Sequence, residues 1–174
     1  MLNGAAAKKL QQKTKYTREV ESVIYKALAI YENVDSARII VCPHSRFADK
    51  GGLFETPLVS IISVPYTDEQ LAEAIAEGFR NCNRVLDVNE DEWDKKPLYR
   101  AFGVKSLRGQ MRHNKLVDVW ITDAQIEIFG GVPEGGGYSF FRRRGFYSYL
   151  PLDADEITIA ATVRELLETV KPHK

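Results

Sequence analysis

Among 174 residues only two are cysteines, Cys42 and Cys82. A disulfide framework needs an oxidising compartment, and nothing in the sequence points to one. Two buried free thiols in a cytoplasmic protein are the expectation. Histidine is nearly as scarce: His44, His113 and His173 share no metal-ligand spacing with each other or with the cysteines, so no metal is expected. No apolar run approaches membrane-spanning length, and Met1-Leu2 opens into small and basic residues rather than a secretory core. An excess of charge of either sign is missing too. The 24 Lys and Arg balance the 24 Asp and Glu, so no overall field draws nucleic acid or an acidic membrane. Any electrostatic partner must therefore meet a local patch. No catalytic motif and no cofactor signature occurs, and neither catalysis nor a cofactor is expected.

What is present is alternation and punctuation. Residues 1–15 are small, polar and basic without periodicity and read as a flexible tail, leaving 16–172 as one domain. Thr17 is a plausible cap for a helix reaching Tyr31, with Val20, Val23, Ile24, Ala27, Leu28 and Tyr31 at helical spacing. A strand over Arg38 to Cys42 is stopped by Pro43, and a polar loop runs to Lys50-Gly51-Gly52. Leu53 to Val64 is extended and interrupted near Pro57. Thr67 and Gln70 then form a capping box for a helix to about Cys82. Leu98 to Ala101 reads as a short helical turn and Leu107 to Asn114 as a short basic helix. The runs Leu116–Thr122 and Gln125–Phe129, two residues apart, have the spacing of a tight hairpin.

Gly130 to Gly137 invites a phosphate-cradle reading, but it lacks the lysine and serine of a P-loop and leads into a strand, so a flexible hairpin loop is expected. A strand over 138–149 and a helix capped by Asp153 with Glu156 close the chain. The order strand, glycine loop, strand, capped helix thus occurs twice, at about 37–82 and 124–170. The fold class expected is α+β, a mostly antiparallel sheet with helices packed on it, built from internally duplicated ββα units.

Three stretches carry candidate chemistry. Tyr138 to Tyr149 mixes aromatics with Arg142, Arg143 and Arg144, and Arg144-Gly145-Phe146 matches the start of an RNA-recognition signature before failing at Tyr147-Ser148. RNA binding through 138–149 is the runner-up function; core-filling by Phe140, Phe146 and Tyr149 is favoured over it. His44 and His113 could serve a small nuclease or hydrolase, although no nucleophile or acidic orienter accompanies them. The third stretch is Asp87, Glu90, Asp91, Glu92, Trp93 and Asp94, five acids and one tryptophan within eight residues. Its bland reading is a solvated connection. Its functional reading is a protein interface, with carboxylates that steer a basic partner and Trp93 as an anchor.

The segments Tyr66–Ile75, Phe102-Gly103-Val104-Lys105-Ser106, Gly135-Gly136-Gly137-Tyr138, Leu150-Pro151-Leu152 and the helix Asp155 to Glu168 together resemble the immunity proteins of bacterial contact-dependent growth inhibition systems. The resemblance runs from about Ala37 to Leu167. It implies a cytoplasmic bacterial protein that binds and neutralises one cognate toxin domain, the C-terminal domain of a large secreted protein, without catalysis. It supplies no set of binding residues.

Overall fold

A computed structural model describes residues 23–143 and 145–174. Eight strands among these residues form a curled, antiparallel sheet: β1 (Ile24–Asn33), β2 (Arg38–Arg46), β3 (Leu53–Glu55), β4 (Ser60–Ser63), β5 (Asn114–Thr122), β6 (Ile126–Glu134), β7 (Gly137–Phe140) and β8 (Tyr147–Leu150). The order is β3-β2-β1-β5-β6-β7, with β4 also on β2 and β8 also on β6. Four helices accompany it: α1 (Asp68–Asn81), α2 (Lys96–Phe102), α3 (Leu107–Met111) and α4 (Glu156–Thr169).

The largest departure from the sequence reading is β1. The expected helix over Thr17 to Tyr31 is a strand from Ile24 onward; Thr17 and Val20 lie outside the described residues. Strand β1 is central, paired along its length with β2 and β5. Both of its faces are covered, so residues 27–31 are buried without a break. A continuous apolar run of this kind carries no alternation, and its residues fit helical spacing equally well.

Strand β2 also outruns its expected end. Pro43 lacks a donor, yet its carbonyl accepts from Thr56 N–H at 2.9 Å and pairing continues to Arg46. The glycine-rich loop is mostly strand. Gly130 and Gly131 belong to β6, and a Cβ on Gly130 would stand 2.5 Å from Val170 Cγ1. Close approach requires glycine there, whereas positive φ requires it only at Gly135 in the turn. The expected strand over 138–149 is two strands, β7 and β8, both laid against β6.

The hairpin at Asp123-Ala124 is as read, with Thr122 N–H donating to Gln125 O at 3.0 Å. Both halves of the Thr67–Gln70 capping box are made. The last helix is capped by Asp155, whose carboxylate accepts from Thr158 N–H at 2.8 Å, and not by Asp153.

One sheet face carries Leu28, Ile30, Val41, Val119 and Ile128 against Leu71 and Ile75 of α1 and Ile159, Val163 and Leu167 of α4. Burial of these side chains is the main cohesive term, about 1.5–3 kcal/mol for each large aliphatic group. The opposite face carries Ala29, Tyr31, Ile40, Cys42 and Leu116 under Leu98 and Phe102 of α2. Helices α1 and α4 thus share a face, and β2 and β6 stand second from opposite edges. That common order is topological and does not by itself establish the expected duplication. Cys42 lies on the second face and Cys82 at the end of α1; both thiols are free and buried.

Candidate functional site

The stretch between α1 and α2 is stitched to the loop after β2. Val88 O accepts from Ala48 N–H at 2.9 Å, Asp49 accepts from Glu90 N–H at 3.2 Å, and Lys50 pairs with Glu90 at 3.0 Å. Glu90–Glu92 form one 3-10 turn, and Asp94 accepts from Lys96 N–H at 3.0 Å at the start of α2. Asp87, Glu90, Asp91, Glu92 and Asp94 are all exposed. The structure therefore keeps the five acids together on one ordered surface strip.

Trp93 does not project from that strip. It is half-buried, its ring 4.5 Å from Phe54, which stacks in turn on Phe47 at 4.4 Å. The three rings form one wall of a cleft of about 360 Å³, completed by Leu98 and Tyr99 of α2 and Leu107 and Gln110 of α3. At its base lies Glu55 on β3, which accepts hydrogen bonds from Tyr31 O–H and Gln110 Nε2. Gln110 is 1% exposed and its Oε1 has no hydrogen-bond partner.

The same sheet face continues to Asp118 on β5, opposite Ala29. Burial pushes the Asp118 carboxyl well above the usual carboxylate range; the Glu55 charge adds to this, and a hydrogen bond with Trp120 opposes it. Burial and then the Glu55 charge also raise Tyr31 and Cys42. This half of the face thus holds two carboxyl groups, Glu55 and Asp118, without an ion-pair partner among the described residues.

A second patch occupies the other edge of the sheet. Glu127, 4% exposed, takes Arg142 at 2.9 Å and Gln125 at 3.1 Å. Phe129 lies 4.8 Å from Trp120 and 5.1 Å from Tyr147, and the Arg143 guanidinium sits 4.7 Å from the Phe146 ring centre. Phe140 packs toward the second-face core and Phe146 toward the first, as the core-filling reading expects. Tyr149 does not: it is 63% exposed. A larger cleft, about 650 Å³ and mostly apolar, lies between β6 and the end of the chain, near Pro133, Phe146 and His173.

The two histidines of the hydrolase reading have different surroundings. His44 Nδ1 lies 3.2 Å from Ala27 O, and burial lowers its pKa while Glu55 opposes the shift. His113 stands 3.5 Å from Asp35 and accepts from Arg112. They share no hydrogen-bond or ion-pair partner among the described residues. Among the described residues no group of His, Cys, Asp and Glu could hold a metal ion.

Sequence reasoning found the acidic strip and Trp93 but missed Tyr31, Glu55, Gln110 and Asp118. One signal existed. Asp118 interrupts Val117 and Val119 in the pattern of a half-exposed strand, and only the cover over the second face turns that polar position inward.

A comparison with family models finds no match, nor does a sequence comparison with curated proteins. Solved structures do match. A protein of unknown function from Neisseria meningitidis superposes with a TM-score of 0.63 at 15% identity, covering 84% of this chain and 95% of that one. A chain of the CdiA-CT/CdiI toxin and immunity complex from Yersinia pseudotuberculosis gives a TM-score of 0.62 at 17% identity, with 84% and 97% covered. At such identities the likeness is one of fold.

Proposed function

We propose that this protein is an immunity protein, which binds the toxin domain of a contact-dependent growth inhibition system in the bacterial cytoplasm and neutralises it without catalysis. The observation that carries the reading is the shared fold with a chain of a toxin and immunity complex. No helix among the described residues is long and apolar enough to cross a membrane, which is compatible with that setting. The strip Asp87, Glu90, Asp91, Glu92, Trp93 and Asp94 is assigned to the interface. Clustered exposed carboxylates raise the capture rate of a basic partner, and a desolvated aromatic slows release.

The test is protection. Cells producing this protein should survive the co-encoded toxin, and the two proteins should copurify one to one; growth arrest despite full expression would refute the reading. Within a complex, Trp93→Ala should cost on the order of 2 kcal/mol of affinity. Glu90→Lys with Glu92→Lys should slow association and blunt its salt dependence. Because Trp93 also packs on Phe54, thermal melting of the free variant must accompany the affinity measurement. Variants that bind like the parent would place the interface elsewhere.

Packing of Phe140 and Phe146 toward the cores and the pairing of Arg142 with Glu127 favour this reading over RNA binding, although Phe141 and Tyr149 are exposed.

A further inference from the structure

We propose that the cleft beside Trp93 receives an arginine side chain of the partner protein. The identity of the partner rests on the immunity reading; the chemistry of the cleft does not. Three features of the walls select the ligand. Phe54 and Trp93 offer aromatic surface against which a planar cation stacks. Glu55 at the base takes hydrogen bonds from neutral donors, Tyr31 O–H and Gln110 Nε2, and has no ion-pair partner among the described residues. Gln110 supplies the independent observation: its side chain lines the cleft, is 1% exposed, and carries an amide oxygen, Oε1, with no donor.

An unpaired buried acceptor is costly, and a ligand that brings donors removes that cost. A guanidinium brings five N–H donors in a plane and no acceptor, which suits an orphan amide oxygen, a carboxylate and two ring faces together. An ammonium brings three donors around one point and stacks less well. A carboxylate or phosphate would meet the Glu55 carboxylate, a like charge, at the base. Glu90 at the mouth adds a second negative charge. Its existing partner, Lys50, leaves a weak obstacle, since the two side chains are 64% and 52% exposed and such pairs exchange readily. Lys95 also lines the cleft and opposes a cation there. Glu55 and Glu90, two carboxylates in the same lining, outnumber it.

The experiment follows the two indole N–H signals of the ¹⁵N-labelled protein during titration with N-acetyl-arginine methylamide. The citrulline analogue, which keeps the shape and loses the charge, is the control. The Trp93 signal should shift saturably with the arginine amide and at least about tenfold more weakly with the citrulline amide, while Trp120 stays still. Glu55→Gln should weaken the response, and the exposed Glu90→Gln, which leaves the fold alone, should do so by a smaller factor. Equal response to citrulline, no saturable shift, or a response at Trp120 alone would overturn the proposal.

A second arm adds the co-encoded toxin domain. Displacement of the arginine amide together with a shift of Trp93 supports a partner arginine as occupant. A bound, neutralised toxin that leaves Trp93 unmoved and the amide in place overturns it, and leaves a site for a free small cation. A toxin that does not bind at all overturns the immunity reading and with it the source of the arginine, while the amide titration still decides what the cleft recognises.

Discussion

Asp118 is the residue whose chemistry is most at odds with its place. It is buried opposite Ala29, and its carboxyl is pushed up by burial, then by Glu55. A carboxyl whose pKa is higher folded than unfolded takes up a proton on folding. Its penalty is absent below the unfolded pKa and grows as pH rises from there toward the folded value. The chain should therefore lose stability as pH climbs above about 4, the ordinary range of an aspartate. Asp118→Asn keeps an acceptor for the Trp120 indole and cannot ionise. It should raise the melting temperature at neutral pH by several degrees and remove this part of the pH slope. Melting curves of both proteins from pH 4 to pH 8 decide the matter; parallel curves would show that Asp118 is not the source.

At the scale of elements, local rules were legible where local contacts decide the structure. The Thr67–Gln70 box and the Asp123-Ala124 hairpin each depend on residues within four positions, and each stands where the sequence puts it. Strand β1 was illegible because its pairing with β2 and β5, and the cover on both its faces, are long-range facts. Gly130 was misread for the same reason, since the neighbour that forbids a side chain is Val170, forty residues on in sequence. In the candidate site the acids and Trp93 were visible as a cluster, whereas Glu55 and Gln110, which give the cleft its base, were not. They meet only because α3 is folded over β3.

The cap of α4 offers a sharp test at this scale. Both Asp153 and Asp155 have the composition of a cap, but only Asp155 reaches a backbone N–H, that of Thr158. The Thr158 side chain and then its N–H lower the Asp155 pKa by hydrogen bonding, so the contribution is present at neutral pH and is lost as pH falls through the depressed value. Asp155→Ala should lower the melting temperature at pH 7 and Asp153→Ala should leave it unchanged, with the difference vanishing in acid. For comparison, Thr67→Ala at the start of α1 should cost about 1 kcal/mol in urea titration.

For the whole molecule, the sheet order sets apart the two surfaces that the sequence marks as sticky. The acidic strip and its cleft border β3, and the arginine and aromatic patch borders β7 and β8, at the other end of a six-strand path. Five inter-strand steps at about 4.8 Å make a path of roughly 24 Å along the curled sheet, although Tyr138 of β7 reaches back to donate its O–H to Met111 O of α3. A partner seated on the acidic strip has no need to reach Tyr149 or Arg143. Tyr149→Ala should consequently leave affinity for the toxin domain unchanged, measured beside Trp93→Ala; a loss equal to that of Trp93→Ala would mean that the partner spans the second face.

The two thiols turn the layered packing into a pair of clocks. Each cysteine is buried, each has its pKa raised by burial, and their surroundings are different: Cys42 sits in the middle of β2, while Cys82 caps the end of α1. With no third thiol in the chain, alkylation can be timed at each position without any substitution. Fraying of the last turn of α1, with loss of the Cys82 Sγ bond to Ala27 O, should uncover Cys82, so its labelling should be the faster and nearly indifferent to low denaturant. Cys42 is released only when the strands part, and its rate should rise steeply with urea. Mass spectrometry of peptides from partly labelled protein would then report the opening of a helix end and the opening of the sheet as separate free energies in one native sample.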